Sequence, residues 1–167
     1  MMSYLFHGTS FLLVMLFELG FLGAMMHPFD LTPLGICIGI YHIFHLRPYL
    51  GGAWLLGYGV VQDLHTVSAS GDIVLAVIFA WVLMYVVEQH ITHISLYAAI
   101  GTASAVVFLW TSLRAIVVSL FSSPVPFDLW LQESVIAAIV AAFTMWALMI
   151  FLPRFRLLLS QYVRVRL

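Results

Sequence analysis

Charge is scarce in this chain: 8% of its 167 residues are charged, six basic and seven acidic, against about a quarter in a soluble domain. Lysine is absent, all six basic residues are arginines, and the net charge is −1, so nothing in the sequence invites nucleic acid. The one cysteine, Cys37, lies in an apolar run, which excludes an internal disulfide. The first ten residues lack a basic segment and a small-residue cleavage site, and are expected to begin an uncleaved first helix. Outside the apolar runs the longest segment is 153–167, which leaves no room for a nucleotide-hydrolysing or ligand-binding head.

What is there is hydrocarbon. Apolar residues make up 64% of the chain and the mean hydropathy is +1.12. Gly, Pro and charged residues cut it into six runs, 4–26, 31–46, 49–64, 72–89, 94–121 and 129–152, each a helix candidate. A helix needs about 20 residues to cross a 30 Å core. The fold class expected is therefore an all-α integral membrane protein, a six-helix transmembrane bundle over 1–152 followed by a basic amphipathic tail over 153–167. The second and third runs are short, about 24 Å each at helical rise, and read either as two thin spans, the preferred assignment, or as a re-entrant pair.

Arginine placement sets the orientation, because cytoplasmic loops retain Arg and Lys. With both termini cytoplasmic, Arg47, Arg154, Arg156, Arg164 and Arg166 stay inside, and Asp30, Asp72 and Asp128 fall on the outer side. The tail's mixture of arginine and apolar residues suits either a membrane interface with anionic lipid or a frayed end.

Ionisable groups within spans are functional candidates by default. Three qualify: Glu18, Asp63 and Arg114. Helical rise puts Glu18 and Asp63 each about 21 Å from the inner surface, and Arg114 about 30 Å, so they form a candidate ion-pair or interaction cluster in the outer half. Arg114 could instead snorkel to the headgroups, and a proton or substrate role stays open. Asp63 could also accept N–H bonds from the turn that follows it.

Catalytic patterns fail on inspection. Gly57-Tyr58-Gly59 is separated from Asp63 by three residues, unlike the Gly-x-Gly-Asp of intramembrane aspartyl proteases. Ser68-Ala69-Ser70-Gly71 lacks the leading glycine of a serine nucleophile motif, and no His-Glu-x-x-His occurs. His42/His45 and His90/His93 are i, i+3 pairs that could ligate metal or haem, or simply sit at the interface. Neither a cofactor nor a metal is expected.

Small residues spaced to let helix backbones meet are plentiful: Gly35/Gly39, Gly101/Ala105, Ala137/Ala141 and Ala138/Ala142. They either close the chain's own bundle or offer a face, that of the sixth helix first, to a partner's transmembrane helix.

The third run reads Gly51-Gly52-Ala53-Trp54-Leu55-Leu56-Gly57-Tyr58-Gly59-Val60-Val61-Gln62-Asp63-Leu64, then a Ser/Thr-rich turn closing on Gly71. This resembles the bacterial rod-shape-determining MreD family, whose third span typically ends in Gly-x-x-x-Asp-Leu before a Ser-rich turn and a glycine; Gly59 and Asp63 have that spacing. Gln62 stands where that family usually has leucine. The resemblance extends to length, six apolar runs, an acid in the first run, Pro33 before the second helix and a basic C-terminus. It implies a non-catalytic inner-membrane scaffold of the cell-elongation complex, with an MreC-like scaffold protein, a RodA-like polymerase and its transpeptidase as partners, coupled to cytoplasmic MreB. The family's fold is similar to that of the substrate-binding subunits of energy-coupling-factor vitamin transporters, the alternative reading. Those subunits typically carry Ala-x-x-x-Ala on the first helix, where this chain has Gly20 and Ala24.

Overall fold

The computed structural model describes residues 2–27, 31–45, 48–65, 71–90, 95–121 and 126–164, with side chains over 8–27, 31–45, 48–65, 71–87, 95–120 and 126–154. Asp30, Arg47, the turn 66–70, His93 and Arg166 lie outside the described residues, as do the side chains of His90, Arg156 and Arg164. The described chain is all-helical: α1 (Met2–Leu16), α2 (Leu34–His45), α3 (Pro48–His65), α4 (Asp72–His90), α5 (Leu96–Phe121) and α6 (Phe127–Arg164).

Two of the six expected runs differ in outline. The first does not stay α-helical: after Leu16 it widens into a π-helical turn, Phe17–Phe21, and tightens into a 3-10 turn, Leu22–Ala24. The sixth does not stop at Leu152, because α6 continues through Pro153 to Arg164. Proline removes one N–H and crowds one carbonyl, and here a long helix carries that loss. Two helical stretches, Leu96–Leu120 and Phe127–Arg154, are long and apolar enough to cross a membrane.

The shortest α-helix occupies the centre. α2 touches all five other helices; Ile36, Cys37, Ile40 and Ile43 are each no more than 2% exposed. At 12 residues it is about 18 Å long. Its glycines are what let neighbours surround it. A Cβ on Gly39 would sit 2.7 Å from Leu55, and one on Gly51 would sit 2.6 Å from the Gly39 carbonyl oxygen, so α2 and α3 cross almost backbone to backbone. Gly35 is packed under the Tyr58 ring and Met15, and Gly57 under Phe11.

α5 and α6 close the other side. Ala99, Ala103 and Val107 of α5 and Ala137, Ala141 and Met145 of α6 are buried, with Ser112 Oγ and Ser134 Oγ 3.3 Å apart between them. Large apolar side chains point outward instead: Leu109, Leu113, Ile116, Ile139, Phe143 and Trp146 are exposed. Thr102, Ser104, Thr111 and Thr144 each donate a hydroxyl to the carbonyl four residues back, so these hydroxyls are satisfied within their own helices. Alanines bring α5 and α6 together, while Ile40, Ile43, Leu55, Trp110 and Met145 fill the interior beside them.

Candidate functional site

The three ionisable residues singled out from the sequence are all held by protein, but not as one cluster. Glu18, in the π-helical turn, is 8% exposed. One of its oxygens accepts the Gly35 N–H at 2.6 Å and the other the Tyr58 hydroxyl at 2.9 Å. Gly35 is the second residue of α2, whose first-turn N–H groups have no partner within the helix. The carboxylate therefore caps α2 from α1's end and ties both to α3.

Asp63 does the same for α4. Its Oδ1 accepts the Asp72 N–H at 3.1 Å and its Oδ2 the Ile73 N–H at 2.9 Å. These are the first two residues of α4, and the positive end of the helix dipole adds to the attraction. Gly71, at φ +72°, turns the chain into α4 through a left-handed conformation that a residue with a Cβ rarely adopts. The motif spacing now has a geometric meaning. Gly59 and Asp63 are one helical turn apart; Gly59 lets α3 approach α4 closely enough for Asp63 to reach its start.

Arg114 pairs with neither of them among the described residues. Its partner is Asp72, at 3.5 Å from Nε to Oδ2. Reasoning from sequence placed Asp72 merely on the outer side, at the start of a run; it is instead fully buried. Its other oxygen accepts the Trp110 Nε1–H at 2.8 Å. Two signals pointed to it: an acid directly after a glycine at a helix start, and Trp110 four residues before Arg114 on the same face of α5. The rings continue the connection, with Tyr58 edge-on to Trp110 at 5.8 Å and Phe79 stacked on Trp110 at 5.6 Å. A polar and aromatic seam thus runs from Glu18 through Tyr58 and Trp110 to Asp72 and Arg114.

The histidine pair His42/His45 is divided between aromatic partners. His42 stacks on Trp54 at 5.1 Å and His45 on Tyr41 at 4.9 Å. Among the described residues no three His, Cys, Asp or Glu side chains gather as a metal site. A cavity of about 170 Å³ lies near the start of α3, lined by Phe11, His42, Leu50, Ala53, Trp54 and Gly57. A shallower one of about 280 Å³ lies between α5 and α6, lined by Ile100, Ala142, Phe143 and Trp146.

Among the small residues, Gly35 and Gly39 of the spaced pairs and Gly57 and Gly59 of the third run, further packing or partner-interface candidates, close helix crossings. Ala137 and Ala141 are buried, and the Cys37 thiol approaches the Ala141 carbonyl at 3.8 Å. That face of the sixth helix therefore seals the chain's own bundle. Gly101 and Ala105 are exposed, and a Cβ on Gly101 would meet nothing within 4 Å. The open small-residue face is on α5.

Burial ranks the two acids for stability, with Glu18 8% exposed and Asp63 only partly buried. Glu18→Gln leaves an amide nitrogen facing a donor at one of two buried bonds, a loss of about 1–3 kcal/mol. Asp63→Asn weakens a less buried cap, where about 0.5–2 kcal/mol is typical. Thermal unfolding of the two variants in detergent is expected to place Glu18→Gln lower; an equal or higher midpoint would remove the Glu18 latch from this account.

The chain matches no protein-family model, no characterised protein and no solved structure.

Proposed function

We propose that this protein is a non-catalytic, multi-pass scaffold of the bacterial inner membrane, acting as MreD-like proteins do in the cell-elongation complex. It has six spans and cytoplasmic termini, and its partners are an MreC-like protein and a RodA-like polymerase with its transpeptidase. The observation that carries the reading is the Gly59–Asp63 turn of α3, whose glycine packs on α4 and whose acid caps it. That is a physical reason for the Gly-x-x-x-Asp spacing on which the resemblance rests. The acids are engaged in holding helix starts, and the open face of Gly101 and Ala105 offers a partner helix close approach. The exposed large apolar side chains suit lipid on the remaining surface.

Two measurements test this. A periplasm-only reporter fused after Leu167 is expected to stay inactive, and strong activity would reject the topology. Tagged protein recovered from native membrane is expected to bring MreC-like and polymerase partners; an ATPase pair or a stoichiometric vitamin would replace the scaffold with the transporter subunit. Gly101→Leu is expected to lower partner recovery with normal folding, whereas Ala141→Leu is expected to lower the yield of folded protein, because Ala141 is 0% exposed.

A further inference from the structure

Arg114 has more donors than the protein uses. Asp72 faces it across 3.5 Å from Oδ2 to Nε, and Asp72 is itself held by burial and by the Trp110 N–H. A guanidinium carries five N–H donors in a rigid fork. The four on the two Nη nitrogens meet no acceptor among the described residues, and the side chain is 35% exposed. Asp63 directs its two oxygens at the N–H groups that start α4. On the same stretch of α5, Leu113, Ile116 and Leu120 are exposed.

We propose that the outward edge of Arg114 binds the phosphate oxyanion of a membrane lipid, with its acyl chains along Leu113, Ile116 and Leu120. The inference rests on the membrane reading above. Donors facing hydrocarbon without acceptors are strongly unfavourable, so this edge must meet water or an anion. The paired Nη groups match two oxygens of a phosphate. Arg114 lies seven residues before the end of α5, about 10 Å by helical rise, a distance a snorkelling arginine largely covers. Inorganic phosphate offers the same oxyanion without the chains.

Native mass spectrometry of the detergent-solubilised full chain tests this, titrating phosphatidylglycerol against diacylglycerol with identical chains. Phosphatidylglycerol is expected to bind about tenfold more tightly, through charge-assisted bonds that diacylglycerol cannot make. The preference is expected to vanish in the charge-neutral double variant D72N/R114Q, which strands no carboxylate. Should that variant misfold, Arg114→Lys, which keeps the charge and loses the fork, is expected to show a preference reduced severalfold. Persistence of phosphatidylglycerol binding in millimolar inorganic phosphate supports the lipid, and displacement by it would transfer the site to free phosphate. Equal binding of the two lipids by the unaltered chain, or an undiminished preference in the folded variants, would overturn the proposal. None of these readouts depends on topology or protein partners, so the scaffold reading stands or falls separately.

Discussion

Asp72→Ala is expected to destabilise the bundle by about 3–5 kcal/mol, the range for removing one partner of a buried ion pair. The substitution strands two donors at once. Trp110 loses the acceptor of its Nε1–H, and Arg114 loses the anion that neutralises it. The partial exposure of Arg114 lets it swing outward, which holds the effect toward the lower end. Asp72→Asn keeps an acceptor for Trp110 and loses only the charge, so its loss is expected to be about half. Adding Arg114→Gln to Asp72→Asn is expected to recover part of it, since no unpaired charge then remains. Unfolding midpoints of these variants in detergent, combined as a double-mutant cycle, give the coupling directly. Strict additivity of the single effects would mean that the pair contributes nothing.

Gly59→Ala is expected to do comparable damage with a single methyl group. A Cβ there would lie 2.7 Å from the Asp72 carbonyl oxygen and 3.1 Å from its carbon. Those are backbone atoms at the start of α4, which no side-chain rotation relieves. Overpacking of this kind destabilises by about 1–3 kcal/mol and sometimes more. Here the displacement also draws Asp63 away from the two N–H groups it caps, a further loss of about 1 kcal/mol. Gly101→Ala is the control, since its Cβ enters open space. Size-exclusion profiles and unfolding midpoints should separate the two clearly. Gly59→Ala with an unchanged midpoint would show that α3 and α4 have slack at this crossing, and the geometric account of the motif would fail.

The helix assignment was largely legible because apolar run length and Pro/Gly breaks are local properties. All six runs correspond to helices within a few residues, except where α1 changes pitch at Phe17 and α6 passes Pro153. Glu18 and Asp63 stood out for the right reason, as acids in hydrocarbon; Asp63 takes backbone N–H bonds just past the turn that follows it, close to one of its expected roles, whereas the Gly35 N–H and Tyr58 hydroxyl held by Glu18 were not anticipated. The alternative of an ion pair with Arg114 counted charges and left out the start of α2. A helix N-terminus offers a carboxylate fixed N–H donors and a favourable dipole, and in α2 and α4 those donors lie nearer than the guanidinium. Asp72 was placed only on the outer side, because a charged residue at the edge of an apolar run reads as exposed until the packing of α5 covers it.

The sequence by itself determined that this is a chain of helices, because residue-by-residue polarity and backbone breakers act over a few neighbours. It also marked which residues are too polar or too small for their surroundings to be incidental. Only the tertiary structure decided what each of them does. Gly35, Gly39 and Gly59 meet neighbouring helices, while Gly101, with the same side chain, faces open space. Ala141 seals the bundle while Ala105 is exposed. Which side of a uniformly apolar helix turns inward is not written in its hydropathy, since both sides are equally apolar; it follows from how closely backbones can approach and which donors must be satisfied once they do.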